Sequence, residues 1–512
     1  MYGTAKYQLP AGGKSRTSES IWLGLARMLS LGMSFVLAAI LSRYMTVDGY
    51  GTYRQVLYVY TTLLTFFAFG LPQCYSYFLS VRPVNEGRSI IKKLNSLFIF
   101  IGALFSLLLF FGSDLIADIL KNRQLAESLR WFAPTPMLMM PIIGIEGILV
   151  VYKQAHLVFI YVLLSKIFTI SCVLAAVYVS GASAVNAIIG LVLAYAMTSF
   201  VGFRLMYRPF KDIAVLQSCI SIKDIFSYSI PVFNASVYGF IIGSSGIYGF
   251  VFGSASQFFV SRYFGVAEFA QFANGFMELP FAGVIIAVIA SVMLPEFSRM
   301  YAAGTAKEEY ILLWNRTVFQ SASLIYPISI FCFIFAEDII TCLYGPKYGI
   351  ASDLFRIITI INIARILPYR PIMFALGKGK LFADIHLFTA VLVVGLDIAC
   401  VNFFPSVTGI ALISTGTTLL CLYLLMMSVS KMLGTNVGSL MPWRKLGILL
   451  VCSLCSGLAS KTATTIFGTA THGMSLGLGG IVFILGYGCL SYLAGIRYSH
   501  FITQILSILK LK

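Results

Sequence analysis

The chain has 512 residues, of which 59% are hydrophobic and only 11% charged, less than half the charge of a soluble domain. No fold of this length covers its surface in water with so few charges, so a soluble enzyme, a nucleic-acid-binding protein and a disordered chain are excluded. The 36 Lys and Arg against 19 Asp and Glu, a net +17, are what the cytoplasmic loops of a multi-pass membrane protein collect.

Up to about Ser20 the chain is polar and basic, without a cleavage-type signal. A spanning helix needs about 20 mostly apolar residues. Fourteen such stretches are predicted, centred near Ser30, Leu64, Ala103, Met139, Phe168, Ala194, Ile241, Val284, Ser323, Ile361, Leu392, Leu419, Val451 and Val482. Pro134, Pro136 and Pro141 in the fourth predict a bend with freed carbonyls. The longest polar stretch is Arg204–Asp224, so no soluble domain fits between the spans. A polysaccharide polymerase or ligase, which needs a large outer loop with catalytic groups, is disfavoured. With the N-terminus inside, the inner segments carry 23 Lys and Arg against nine outside. That asymmetry predicts two cytoplasmic termini. The tail Phe501–Lys512 reads as an amphipathic helix on the membrane surface.

The chain repeats itself. Ser42-Arg43-Tyr44, Val47, Tyr50 and Tyr53 are echoed 219 positions on by Ser261-Arg262-Tyr263, Val266, Phe269 and Phe272. Leu71-Pro72 is echoed by Leu294-Pro295, and Ser113-Asp114 by Glu337-Asp338. The expected fold is therefore an all-α polytopic membrane protein with about 14 transmembrane helices: two pseudo-symmetric six-helix lobes plus two C-terminal helices. The expected boundaries are 1–203 for the first lobe, 204–224 for a cytoplasmic linker, 225–432 for the second lobe, and 433–512 for the additional helices and tail. An even number of spans per copy orients both copies alike. Two parallel lobes around a midplane cavity make an alternating-access plan.

Four basic residues remain at membrane depth: Arg27, Lys166, Arg316 and Arg365. Each costs about 2.5–3.5 kcal/mol to insert, so they turn away from lipid. At 100° per residue, Gly24, Arg27, Ser30, Ser34, Ala38 and Ser42 fall on one side of the first span. Arg54, Tyr58, Thr61 and Thr65 do so on the second. Such stripes are expected to line a wet cavity, and a positive wall favours an anionic substrate. Arginine suits phosphate in particular, which it binds through two parallel hydrogen bonds. The acids at depth are Glu146 and Asp397. They either neutralise buried cations or take up H⁺ or Na⁺ during transport.

Other patterns carry less. Gly377-Lys378-Gly379-Lys380 lacks the spacing of a phosphate-binding loop, and the chain has no nucleotide-binding motif. The four histidines lack metal-ligand spacing. Cys452 and Cys455 lie in an apolar run and read as helix packing.

The segments Leu41–Tyr53 (LSRYMTVDGYGTY), Gly70–Gln73 (GLPQ), Met293–Met300 (MLPEFSRM), Leu343–Ile357 (LYGPKYGIASDLFRI), Ala375–Lys380 (ALGKGK) and Gly409–Leu420 (GIALISTGTTLL) recur in order and spacing. In these the chain resembles the polysaccharide transporter family, the O-antigen-type flippases of the MATE-like multidrug/oligosaccharidyl-lipid/polysaccharide exporter superfamily, over roughly residues 15–435. The resemblance implies a non-enzymatic flippase. It would move undecaprenyl-diphosphate-linked oligosaccharide from the inner to the outer leaflet of the bacterial inner membrane, for O-antigen, capsule or exopolysaccharide synthesis. It further implies work as a monomer beside a polymerase and chain-length machinery, with no cofactor beyond a coupling H⁺ or Na⁺. An arginine-rich cavity is also implied, matched here by Arg27, Arg54, Arg316 and Arg365, with Lys166 added from the charge pattern. Many relatives carry an acid near the end of the seventh helix, where this chain has Ser256-Gln257. The alternatives are a lipid II flippase and a cation-coupled multidrug exporter on the same fold; the latter presents acids to its cationic drugs, whereas the first span here offers Arg27.

Overall fold

A computed structural model describes residues 16–496 except 69, 212, 214, 215, 218, 219, 230–246, 278 and 368. The span predicted near Ile241 and the tail Phe501–Lys512 lie outside the described residues. Among those described there is no strand, and eleven segments are long and apolar enough to cross a membrane. They coincide with eleven of the fourteen predicted spans. The chain is an all-helical, multi-pass membrane protein.

The described residues form two compact units, one ending at 229 and the other beginning at 247. In the first, α1 (Arg16–Tyr44) turns into α2 (Val47–Ala68). Gly70, at φ 72°, supplies the left-handed turn that starts α3 at Pro72 (Pro72–Val81). After α4 (Gly87–Phe111) the chain makes two short helices, α5 (Ser113–Ile119) and α6 (Arg123–Phe132). The predicted bend follows as a true break: α7 (Thr135–Met139), a 3-10 turn over Met140–Ile142, then α8 (Ile145–Val151). Two carbonyls at the break are taken up by side chains. Ser199 Oγ donates to Leu138 O at 2.7 Å, and Tyr75 OH donates to Pro141 O at 3.3 Å. The hairpin α9 (Ala155–Ser180) and α10 (Ala184–Tyr207) closes through Gly190. A Cβ there would stand 2.6 Å from Cys172 O and 2.7 Å from Val173 Cα, so glycine lets the backbones meet as small residues do in membranes. A last helix, α11, covers 222–229.

The second unit repeats that element order. The pair α12 (Ile247–Tyr263) and α13 (Val266–Gly275) is followed by α14 (Pro280–Ala302), α15 (Lys307–Ile334), and the short helices α16 (Ala336–Tyr344) and α17 (Gly349–Thr359). A broken segment, α18 (Ile361–Ala364) and α19 (Tyr369–Ala375), leads to α20 (Gly379–Phe403) and α21 (Val407–Leu433). The repeat reaches individual hydrogen bonds. Thr52 Oγ1 accepts from Asn122 Nδ2 at 3.0 Å, pinning the start of α6 to α2. Its counterpart 219 positions on, Gln271, donates from Nε2 to Lys347 O at 2.9 Å and accepts from Ala351 N, pinning the start of α17 to α13. The echo at the two Leu-Pro pairs resolves differently. Pro72 opens α3 after Gly70, whereas Pro295 lies inside α14, which no glycine interrupts at that point.

A short helix, α22 (Val437–Leu440), precedes the two additional helices, α23 (Trp443–Ile466) and α24 (His472–Leu493), and all three belong to the second unit. Thr471 caps α24 by accepting from Met474 N. Within α23, Cys452 is buried and Cys455 exposed, both as free thiols.

Candidate substrate-binding site

The polar stripe of α1 faces α8 and α9. Arg27, in the twelfth position of α1, places Nη2 3.2 Å from Glu146 Oε1 on α8. The side chains are 71% and 49% exposed. Seven residues along α1, and so on nearly the same side, Ser34 Oγ donates to Ser30 O at 2.7 Å and accepts from Lys166 Nζ of α9 at 2.9 Å. A hydroxyl satisfied by its own helix thus still offers an oxygen to the ammonium. The first unit therefore brings Arg27, Glu146 and Lys166 onto one face of α1, with two positive charges against one negative. Arg54 is half-buried on α2 of the same unit.

Arg316 and Arg365 belong to the second unit. Arg316 is exposed on α15. Arg365 does not sit deep in a continuous span, as the apolar run suggested. The span breaks there, and Arg365 is the C-terminal cap of α18, half-buried, with α19 restarting at Tyr369. Pro371, in the first turn of α19, has no N–H to lose to a preceding turn, which fits a restart better than continuity.

Asp397 of α20 is fully buried. Its Oδ2 accepts from Ser256 Oγ of α12 at 3.0 Å, while Oδ1 has no partner among the described residues. No described basic side chain pairs with it. The serine read from sequence as a departure from an acidic position is thus this carboxylate's one hydrogen-bond donor among the described residues. An ionised carboxylate buried in this way needs a counter-charge, and the chain's own described residues do not supply one.

A third cluster escaped the sequence reading. Asp338 of α16, only 8% exposed, accepts from Lys461 Nζ of α23 at 2.7 Å and from His472 Nδ1 of α24 at 2.8 Å. Burial pushes its carboxyl up, but the two donors and their charges outweigh that and hold it below the usual aspartate value. The cluster lines a cavity of about 350 Å³ with Thr464, Thr469 and Ser475. In the first unit, Asp114, the counterpart of Asp338 in the repeat, is held instead by Arg130 at 2.6 and 2.7 Å. Among the described residues, no three His, Cys, Asp or Glu side chains converge on a metal-binding point.

A family model described as polysaccharide biosynthesis protein matches residues 17–301, more than half of the chain. The chain belongs to this polysaccharide biosynthesis family. No curated protein matches it in sequence. Solved structures share the fold of this family member. The lipid II flippase MurJ, in an inward closed conformation, is similar at 14% identity over 95% of this chain and 99% of that one, with a TM-score of 0.65. An inward-facing multidrug-resistance MATE transporter of the MOP superfamily is similar at 14% identity, covering 82% and 96%, TM-score 0.56. A MOP superfamily transporter from Pyrococcus furiosus, whose binding pocket is described as reversed in polarity, matches at 14%, covering 82% and 97%, TM-score 0.52. At this identity the likeness is one of fold. The chain thus combines membership of this polysaccharide biosynthesis family with a fold shared by MOP superfamily transporters.

Proposed function

We propose that this protein flips undecaprenyl-diphosphate-linked oligosaccharide from the cytoplasmic to the outer leaflet of a bacterial inner membrane, by alternating access. The observation that carries this is the cationic face of α1, where Arg27 and Lys166 stand against the single carboxylate of Glu146. A cationic drug would meet repulsion at that face. A diphosphate meets a guanidinium that can bind it through two parallel hydrogen bonds. The polyprenyl tail needs only lipid, and the glycan only hydrated space. The family membership supports a product destined for polysaccharide assembly, and in this reading a polymerase acts downstream. Loop charge supports cytoplasmic termini. Asp397 is the coupling group in this reading: its Oδ1, unpartnered among the described residues, takes up H⁺ or Na⁺ in one half of the cycle.

The test is equilibrium binding to the purified protein in nanodiscs. Undecaprenyl-diphosphate oligosaccharide binds wild type, and Arg27→Ala binds it about tenfold more weakly or worse, the loss of one charge-assisted contact. Binding of a cationic dye with indifference to the glycan lipid would establish the multidrug-exporter alternative instead. Preference for lipid II over other glycan lipids would establish the peptidoglycan alternative.

A further inference from the structure

Among the described residues, the ion pairs that join different helices are of two kinds. Those that hold elements together are short, multiply bonded or buried. Arg130 grips both oxygens of Asp114 at 2.6 and 2.7 Å and donates from Nε to Ser113. Lys461 meets Asp338, which is shielded from solvent, at 2.7 Å. The pair between Arg27 and Glu146 is neither. It is one contact of 3.2 Å between two well-exposed side chains, and neither makes another hydrogen bond among the described residues. Such a pair contributes little to stability, yet it occupies the guanidinium on which the anion site rests.

The carboxylate is nonetheless placed with care. Glu146 is the second residue of α8, just after the proline-made break. The entry to α8 is fixed because Gly144 lies against the Tyr75 ring, where a Cβ would come within 2.0 Å of the ring edge. Tyr75 is in turn held by Asn95 Oδ1 and Pro141 O. A rigid support thus presents a loosely bound acid to Arg27.

We propose that Glu146 is the resident counter-ion of the diphosphate site: it occupies Arg27 when the site is empty, yields it to the diphosphate, and reclaims it as the ligand leaves. This rests on the flippase reading above. A diphosphate brings more negative charge than a carboxylate and can take both faces of the guanidinium fork, so it wins the exchange. The displaced carboxylate stays on α8 beside the bound anion, where like charge speeds dissociation. Lys166 keeps the face positive throughout. A carrier must release what it binds, and Glu146 lowers the affinity of a site that two cations alone would make too tight.

The experiment compares wild type, Glu146→Gln, Arg27→Ala and the double variant in nanodiscs, with undecaprenyl diphosphate as the binding probe. Glu146→Gln binds several-fold more tightly, dissociates correspondingly more slowly, and turns over more slowly in a leaflet-translocation assay. In the Arg27→Ala background the same change does not tighten binding, because there is no guanidinium left to contest. Glu146→Asp, which keeps the charge, restores wild-type dissociation if the charge is what matters. Inorganic pyrophosphate, the same group without the lipid, shows the same ratio between wild type and Glu146→Gln. Weaker or unchanged binding in Glu146→Gln, with Arg27→Ala still impaired, overturns the counter-ion role and leaves the flippase reading standing. A ratio of one with pyrophosphate alone also overturns it. Indifference of diphosphate binding to Arg27→Ala overturns the flippase reading itself.

Discussion

Asp338→Asn loosens the two additional helices against the rest of the second unit. Asp338 is the one acceptor shared by Lys461 of α23 and His472 of α24, at 2.7 and 2.8 Å. A hydrogen bond to a charged group is worth about 1.5–3 kcal/mol. Both donors are about two-fifths exposed and rehydrate when released, which discounts each bond toward the value of a surface pair. Asparagine keeps one oxygen and turns an NH₂ toward a cation, so the net loss is about 2–3 kcal/mol. That corresponds to about a 30- to 140-fold loss of hydrogen-exchange protection for amides in 336–344 and 459–475 at neutral pH. The pH dependence has a definite sign. The folded carboxyl is held below its ordinary value, so its contribution is complete above that value and lost as pH falls through the lower folded one, below about pH 4. Wild type therefore converges on the variant in acid. Protection within twofold of wild type at neutral pH, or no convergence in acid, refutes this reasoning.

Two further outcomes follow from the packing and the buried acid. Gly190→Ala drives a Cβ into the backbone of α9 at Cys172 and Val173, which no rotamer relieves; we expect a loss of about 1–3 kcal/mol, read as a lower thermal midpoint in detergent, while Gly447→Ala, with nothing within 4 Å, leaves it unchanged. Asp397→Asn removes the group that takes the coupling cation. Transport then loses its dependence on proton or sodium gradients while diphosphate binding persists; an unaltered dependence assigns coupling elsewhere.

How far the fold was legible depended on whether its determinants are local. Hydropathy exposes spans directly, and three prolines exposed the break at α7–α8 because each removes a backbone donor. The 219-residue repeat was legible in the turn after α1 and extends to the Thr52 and Gln271 anchors. The break at Arg365 was missed, although Pro368 and Pro371 stand beside it, because the apolar run masks the punctuation. Helical periodicity says which side of α1 Arg27 occupies but cannot say what meets it there. Its partner is 119 residues away, and Lys461 is 123 residues from Asp338. For the same reason Ser256 read as a missing acid, when in the folded chain it is the hydrogen-bond donor to Asp397.

The central claim, that the α1 face carries a lipid-linked diphosphate across the membrane, is tested most directly by leaflet translocation in proteoliposomes. Undecaprenyl-diphosphate oligosaccharide is loaded on one side, and its appearance on the other is followed for wild type and Arg27→Ala. The account predicts protein-dependent translocation by wild type that falls about tenfold or more in Arg27→Ala, at equal amounts of folded protein. Equal rates in the two, or no translocation above protein-free vesicles alongside uptake of a cationic dye, would contradict it.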